Sequence, residues 1–289
     1  MIRVLLRGRS GNNFFQYAVG RYLALKHGVP LVLDGSWQRN GDWAQAQDLQ
    51  RLNLKAGFAR PFTLPSKICR KFFDKHPRQW TNAESFHELA DDLTFCPEVL
   101  ELGPQAFLSG YFQTPLYFPG LREVLQQEIN FRELPMDDET AGIVNEIQAP
   151  GSVSLHIRRG DYLTYTDMQV CTPAYHAAAM RRMEQEVADP VFWIFSDDIP
   201  WCREHLKGLP VRFVDLAASA KDPFNDLRVM SHASHHIIMN STYSWWAAWL
   251  YWQPGKQVIL PDRWSTDAMT IPISEKTEPG WICLPGGGI

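Results

Sequence analysis

Hydrophobic and polar positions in the second half of the chain follow a regular order. Short apolar runs rich in β-branched residues are each followed by a stretch with helical periodicity. This alternation predicts parallel strands joined by helices, and therefore an α/β sheet with helices on both faces. The predicted strands are 153–157, 191–195, 211–214, 236–239 and 258–260, and the predicted helices are 173–187, 200–206, 224–233 and 243–252.

The first half carries a weaker form of the same pattern. An apolar run at 2–6 predicts a strand, and the apolar positions 15, 18, 19 and 22 have the spacing of a helix core stripe. Residues 34–92 show no period. The remaining predicted elements are strands at 31–33 and 106–109 and a helix at 118–129.

The length of the chain, 289 residues, fits two domains. Several acids together with Pro135, Gly142 and Pro150 interrupt the pattern between 131 and 152, where we place the boundary. We therefore predict an N-terminal domain at 1–140, a C-terminal domain at 141–270, and a tail at 271–289 that packs back on the N-terminal domain.

Composition narrows the class of protein. Hydrophobic residues make up 45% and charged residues 21%, as in globular proteins, and the net charge of −4 argues against nucleic-acid binding. Five scattered cysteines without a C-x-x-C pair predict a reducing, cytoplasmic setting. Because no apolar run reaches the roughly 18 residues of a membrane span, we expect peripheral membrane contact at most. The sequence carries no signal for an oligomeric state.

The run HIRRGD (156–161) is the strongest candidate for chemistry. A strand that ends in Arg158 and Arg159 delivers them where α/β sheets bind ligands, and guanidinium groups suit phosphate oxygens. Asp161 would orient its neighbouring arginine. The alternative is a pair of surface arginines neutralised by that aspartate. His156 is either a core histidine or a member of the site.

Three further places along the second half offer polar groups. Asp197 follows a predicted strand and is a site candidate, whereas Asp198 resembles a helix cap. Ser241 and Thr242 open a predicted helix, where they would form an anion site or an ordinary N-cap. Asp226 could accept two N–H bonds from a guanine edge, or be a helix-surface acid.

The sequence contains no D-x-D motif, a common metal–diphosphate ligand. We therefore expect neither a metal nor a cofactor, with arginine and helix N-termini supplying the positive charge. Trp245, Trp249 and Trp252 lie on one helical stripe and are expected to be mostly core.

Five segments in order resemble the α-1,2-fucosyltransferases of glycosyltransferase family 11. They are GRSGNNFFQYA (8–18), SGYFQ (109–113), HIRRGD (156–161), FSDD (195–198) and NSTYSWWAAWL (240–250). The resemblance implies a GT-B fold, with two Rossmann-like domains facing a cleft and GDP-fucose bound mainly by the second. It implies inverting, metal-independent transfer of fucose to the 2-hydroxyl of a galactose-terminated glycan. Because the sequence shows no membrane anchor, we expect a bacterial cytosolic enzyme that builds surface glycans.

The same resemblance implies roles for single residues. Arg158 would contact the β-phosphate with support from Arg159, Ser241 and Thr242 would add donors, and Asp226 would read the guanine. Two departures from the family pattern elsewhere are Ser10 and Ala247.

In the first domain, Asn12 would reach across the cleft towards the reacting sugar or the acceptor. Asn13 stands where the family usually has glutamine, in the loop expected to face the acceptor. Asp161 and His156 are the candidates for a general base.

Two other functions remain open at this point. The H-x-R-R element also occurs in fucosyltransferases of other linkages, α-1,6 or protein-O-fucosyl, although the Ser-Trp-Trp element favours α-1,2. A GDP- or glycan-binding module without catalysis is the second alternative.

Overall fold

The computed structural model describes residues 1–35, 47–59, 84–89, 92–206, 209–266 and 270–287. The chain divides into two compact units, Met1–Asn130 and Phe131–Ile289. Within the described residues, each unit is built on one parallel sheet with helices. The predicted α/β class is confirmed.

The first sheet has five strands in the order β3-β2-β1-β5-β4, all parallel. Helix α1 follows β1 directly and ends at Gly28, whose φ of 63° is the left-handed conformation typical of a helix C-cap. The elements are β1 (Ile2–Leu5), α1 (Ser10–His27), β2 (Leu31–Asp34), β3 (Gly57–Ala59), β4 (Glu84–His87), β5 (Ala106–Ser109) and α2 (Arg122–Glu128).

The second sheet has six strands in the order β11-β10-β9-β6-β7-β8, again all parallel. All six residues of β6 are buried, which places this strand at the centre of the unit. The elements are α3 (Asp138–Ile147), β6 (Ser152–Ile157), α4 (Pro173–Glu186), β7 (Val191–Ser196), α5 (Ile199–His205), β8 (Val211–Phe213), α6 (Asn225–Ser231), β9 (His235–Ile237), α7 (Thr242–Leu250), β10 (Val258–Pro261) and β11 (Ile282–Leu284).

The order of the second sheet creates a switch point between β6 and β9. The chain runs outward from β6 through β7 to β8, and then returns to β9 on the other side of β6. Ligands of open α/β sheets bind at such a point, outside the carboxyl ends of the strands. The turns that follow β6 and β9 are therefore the expected ligand-binding turns of this sheet.

The predicted linker between 131 and 152 contains a helix, α3. Its N-cap is Asp137, whose Oδ1 accepts the backbone N–H of Thr140 at 2.8 Å. Two of the acids that seemed to break the pattern, Asp138 and Glu139, lie in the first turn, where they complement the helix dipole. Val144 and Ile147 are buried, so the helix is part of the second unit, which begins at Phe131 and not at 141.

The expected placement of the tail also needs correction. β11 lies in residues 271–289, predicted to pack on the N-terminal domain, and it pairs in parallel with β10 of the second sheet. Its run of three residues was too short to be predicted as a strand.

Helix α7 confirms the tryptophan stripe as mostly core. Trp245 and Trp249 are buried, and their rings stack with centroids 5.2 Å apart, whereas Trp252 follows the helix and is 55% exposed. No described helix has the length and apolar character needed to span a bilayer.

Candidate active site

Arg158 lies at the carboxyl end of β6 and is held there by Asp161. Its Nε donates to Asp161 Oδ1 at 2.8 Å, and one terminal nitrogen donates to Oδ2 at 2.6 Å. The arginine side chain is only 17% exposed. This bidentate pair fixes one edge of the guanidinium, while the end that carries both terminal nitrogens has further N–H donors. The predicted pairing exists, but Arg158 is not a solvated surface arginine.

Asp197, at the end of the neighbouring strand β7, stabilises the turn after Arg158. Its Oδ1 accepts the backbone N–H of Arg159 at 2.8 Å and that of Gly160 at 3.3 Å. A Cβ on Gly160 would lie 2.7 Å from Asp197 Oδ2, so any side chain at this position would displace the carboxylate. In the described structure, Asp197 therefore positions the arginine turn through its backbone.

The side chain of Arg159 points to partners of its own. Its Nε donates to Asp198 Oδ2 at 3.1 Å, and its guanidinium carbon lies 3.8 Å from the centroid of the Trp201 ring. Asp198 also caps α5, since its Oδ1 accepts the N–H of Trp201 at 3.1 Å, which confirms the predicted helix start. Arg159 thus ties the turn after β6 to the start of α5.

His156 is buried within the second unit on β6. Its ring centroid is 6.1 Å from that of Tyr243 on α7. Burial lowers the pKa of His156 to about 3, with further lowering by the charges of Arg158 and His176. Among the described residues its Nδ1 has no hydrogen-bond partner. His156 is therefore a neutral core histidine on β6, two residues before Arg158 in the sequence. In the described structure its Nδ1 lacks the hydrogen-bond partner that a core histidine is expected to have.

The turn after β9 forms the other side of the switch point. Ser241 is the N-cap of α7, but its side chain makes no capping hydrogen bond to the described residues. Thr242 is the first residue of the helix. The first turn of a helix presents backbone N–H groups that the helix does not pair, so this turn is suited to an anion.

Two contacts connect the turns after β6 and β9. Tyr162 Oη donates to the carbonyl of Asn240 at 2.9 Å, and the Arg158 backbone N–H approaches Met239 Sδ at 2.9 Å. The Arg158 guanidinium carbon also lies 5.0 Å from the centroid of the Tyr162 ring. Arg158 and the start of α7 are therefore parts of one local structure.

Asp226, in the first turn of α6, carries the most perturbed carboxyl near this site. Burial raises its pKa to about 6, a hydrogen bond from Ser219 lowers it, and the charge of Asp215 raises it. Burial raises the pKa of Tyr243, the charge of Asp226 raises it further, and the charge of Arg158 lowers it. Its Oη donates to the carbonyl of Pro223 at 2.8 Å and accepts the N–H of Leu227 at 2.9 Å. Asp226 is thus not a simple helix-surface acid.

In the first unit, the turns after β1 and β5 meet in the same way. Gln113 Nε2 donates to Asn12 Oδ1 at 3.0 Å, and Gln16 Nε2 donates to the carbonyls of Arg7 and Gly110. Asn13 does not face outward as expected. It is fully buried, and its Nδ2 donates to the Arg7 carbonyl at 3.1 Å, because it closes the turn that precedes α1.

The loop after β5 is further stabilised by Glu88, in the part of the chain that showed no period. Its carboxylate accepts the N–H groups of Tyr111 at 2.5 Å and of Phe112 at 3.1 Å. Phe112 has a φ of 51°, a left-handed conformation that is costly for a non-glycine residue. Such strain is retained where surrounding contacts hold it, as the Glu88 carboxylate does here.

Sequence reasoning missed Tyr162, Tyr243, Ser219 and Glu88. Tyr243 stands inside the NSTYSWWAAWL segment and Tyr162 directly follows HIRRGD, so their position was the available signal. Glu88 lies in the segment without a period, and Ser219 lies between the predicted strand at 211–214 and the predicted helix at 224–233. The described residues contain no group of three or more His, Cys, Asp or Glu side chains that could hold a metal ion.

Two parallel-sheet units with polar turns at the carboxyl ends of their strands are the GT-B architecture. The crystal structure of fucosyltransferase NodZ from Bradyrhizobium has the same fold, with a TM-score of 0.51 at 13% identity, over 86% of this chain and 92% of that one.

The family follows from the sequence profile of Glycosyl transferase family 11, which matches residues 69–284. An alpha-1,2-colitosyltransferase from Escherichia coli is 28% identical over 268 residues, covering 90% of each chain. Galactoside alpha-(1,2)-fucosyltransferase 1 from Sus scrofa is 24% identical over 253 residues, covering 76% of this chain and 67% of the relative. The chain belongs to glycosyltransferase family 11 and is an enzyme of the α-1,2-fucosyltransferase type, as predicted.

Proposed function

We propose that this enzyme transfers L-fucose from GDP-fucose to the 2-hydroxyl of a terminal galactoside, with inversion and without a metal ion. The observation that carries the proposal is the Arg158–Asp161 pair at the switch point of the second sheet, beside the start of α7. Family membership supports the α-1,2 linkage.

Arg158 is the residue proposed to bind the β-phosphate of the donor. Asp161 holds one edge of the guanidinium, so the donors at its other end keep a fixed direction. As the sugar leaves, negative charge grows on the phosphate oxygen of GDP. Donors that are already in place stabilise this charge without reorganisation, and one such donor is worth roughly 10²–10³ in rate.

The start of α7 is proposed to contribute to the same phosphate. Ser241 has a hydroxyl that does not cap the helix in the described structure, and the backbone N–H groups of the first turn add the positive end of the helix dipole. Thr242 would add a second hydroxyl. Together with Arg158, these groups supply the charge that a divalent cation provides in other glycosyltransferases.

Neither candidate for a general base has the properties that the role requires. An imidazole whose pKa is lowered to about 3 is a weak base, and His156 is buried. Both oxygens of Asp161 accept hydrogen bonds from Arg158. We therefore assign to Asp161 a positioning role towards Arg158. Asn12 stays a prediction for the acceptor side.

A second donor is favoured by one observation. The colitosyltransferase matches nearly the whole of both chains. Colitose is fucose without its 3-hydroxyl, so the two sugars differ at a single position. A site for one needs little change to bind the other. GDP-colitose is therefore the alternative donor.

The test offers GDP-fucose or GDP-colitose to the enzyme with a panel of galactose-terminated acceptors, followed by linkage analysis of the product. We expect α-1,2-linked fucose, with equal rates in EDTA and in added Mn²⁺ or Mg²⁺. An α-1,6 or peptide-linked product would refute the linkage. GDP binding without acceptor-dependent GDP release would identify a binding module, and a strict requirement for a divalent cation would refute the arginine-based scheme.

A further inference from the structure

A chain of polar side chains lies behind Asp226. Ser219 Oγ donates to Asp226 Oδ1, and Asn225 Nδ2 lies 3.2 Å from Ser219 Oγ. Asn225 is in turn 3.4 Å from Thr140 Oγ1 on α3. Thr140 and Asn225 are buried, so this chain is part of the core of the second unit.

The direction of these hydrogen bonds follows from the chemistry of the groups. A primary amide nitrogen only donates and a carboxylate only accepts. With Asn225 donating to its oxygen, the single hydroxyl proton of Ser219 points at Asp226. Ser219 is therefore oriented to favour the ionised form of Asp226.

The charges around Asp226 oppose that form. Asp215, which follows β8, repels the carboxylate, and burial penalises its charge. The phenol of Tyr243 on α7, the group there that interacts with Asp226, is neutral because burial raises its pKa. Arg228 on its own helix is paired with Asp222, at 3.5 Å. Among the described residues, the hydrogen bond from the Ser219 hydroxyl is thus the contact that stabilises the ionised Asp226 carboxylate.

We propose that Ser219 is a positioning residue for nucleobase recognition, which holds Asp226 as an oriented, acceptor-only carboxylate for the N1–H and 2-amino groups of guanine. The inference rests on the proposed function, in which the donor is a guanine nucleotide, and on the guanine contact that the family resemblance implies for Asp226. A protonated carboxyl would present an O–H to those guanine donors, and one of the two hydrogen bonds would be lost.

This role couples donor affinity to pH. Because the pKa of Asp226 is raised to about 6, the carboxyl gains its proton as the pH falls through that value, and GDP affinity falls with it. Removing the Ser219 hydroxyl raises this pKa further, so the loss of affinity begins nearer neutrality. The turnover number is spared, since Arg158 and the start of α7 are untouched.

The test measures the Kd of GDP, and kcat and donor KM, from about pH 5 to about pH 9. In Ser219→Ala we expect a pKa shift of about one unit, so that Kd and KM rise about twofold at pH 7 and about 5- to 10-fold between pH 6 and pH 5, and return to the parent values near pH 9. Ser219→Thr keeps the hydroxyl and should match the parent. Asp215→Asn removes the repelling charge and should shift the midpoint to lower pH, with kcat within about twofold of the parent.

Several outcomes would overturn the proposal. A Ser219→Ala enzyme whose Kd is raised equally at every pH would show a merely structural role, and an unchanged Kd would show no role. If Ser219→Ala does not fold, the Asp215→Asn variant decides. An unchanged pH midpoint of GDP binding in that variant would refute the proposal. A separate arm compares GDP with inosine diphosphate, which lacks the 2-amino group, on the parent enzyme. Equal affinity there would refute guanine reading by Asp226, and so would reject the proposed donor before Ser219 is considered.

Discussion

Replacing Gly160 with alanine would test whether Asp197 sets the position of Arg158. The new Cβ would lie 2.7 Å from Asp197 Oδ2, against an ordinary contact of 3.4 Å or more, so the carboxylate must retreat by about 0.7 Å (3.4 − 2.7). The hydrogen bond from the Gly160 N–H goes to Oδ1 of the same carboxylate at 3.3 Å, already a long bond, and we expect it to be lost when the group moves. The bond from Arg159 would weaken.

The expected effect on the fold is small and the effect on catalysis large. Asp197 is exposed, so we discount the value of a charge-assisted hydrogen bond and expect a loss of about 1 kcal/mol in the free energy of unfolding. A misplacement of about 1 Å in a catalytic group can cost about 10² in rate. Since Arg158 precedes this turn directly, we expect kcat to fall about 10- to 100-fold.

The assay combines kcat, from acceptor-dependent GDP release, with thermal unfolding. Gly142→Ala is the matched control, because nothing lies within 4 Å of its added Cβ in α3; it should stabilise by about 0.5–1 kcal/mol and leave kcat unchanged. Asp197→Ala and the double variant with Gly160→Ala should be equally slow, since the clash needs the carboxylate. A Gly160→Ala enzyme with the parent kcat, or fully additive effects in the double variant, would refute the reasoning.

Three further predictions concern single residues. Arg158→Ala should lower kcat by about 10²–10³ and Arg158→Lys should restore only part of it, whereas Arg182→Ala, which removes an exposed ion pair, should match the parent. Asp226→Asn should weaken GDP binding yet raise the free energy of unfolding at pH 8, by roughly 1–2 kcal/mol after a discount for partial exposure. The free energy of unfolding rises because the ionised Asp226 destabilises the folded parent. Its raised pKa means that the stability of the parent falls as the pH rises from about 4 to about 6. Chemical denaturation across this pH range measures the effect. Asp189→Gly relieves a φ of 48° and should stabilise by about 0.5–1 kcal/mol in the same assay, without an effect on kcat.

The inner strands of the second sheet were predictable because strands such as β6 and β10 are buried along their whole length and read as mostly apolar runs. The strands β3 and β4 escaped prediction, since they are short, half-exposed and without alternation. Helix α3 was read as a linker because its capping acids and Gly142 look like turn residues when the partner surface is unknown. Local pattern therefore finds the centre of each sheet better than its margins.

Local spacing predicted the Arg158–Asp161 pair and the Asp198 cap. The same spacing did not show that Asp197 accepts backbone N–H groups from another strand, or that Ser219 and Asn225 orient Asp226. These contacts depend on which strands are neighbours and on how loops fold back on them. Buried polar networks of this kind carry no periodic signal.

The pairing of β11 with β10 protects an edge of the second sheet. Val258, Ile259 and Leu260 are fully buried, and without β11 their strand would present unpaired backbone groups and an apolar face to other chains. Gly286 strengthens the arrangement, because its carbonyl accepts the N–H of Thr172 at 3.0 Å just before α4. A chain shortened before residue 282 would therefore be prone to self-association through β10.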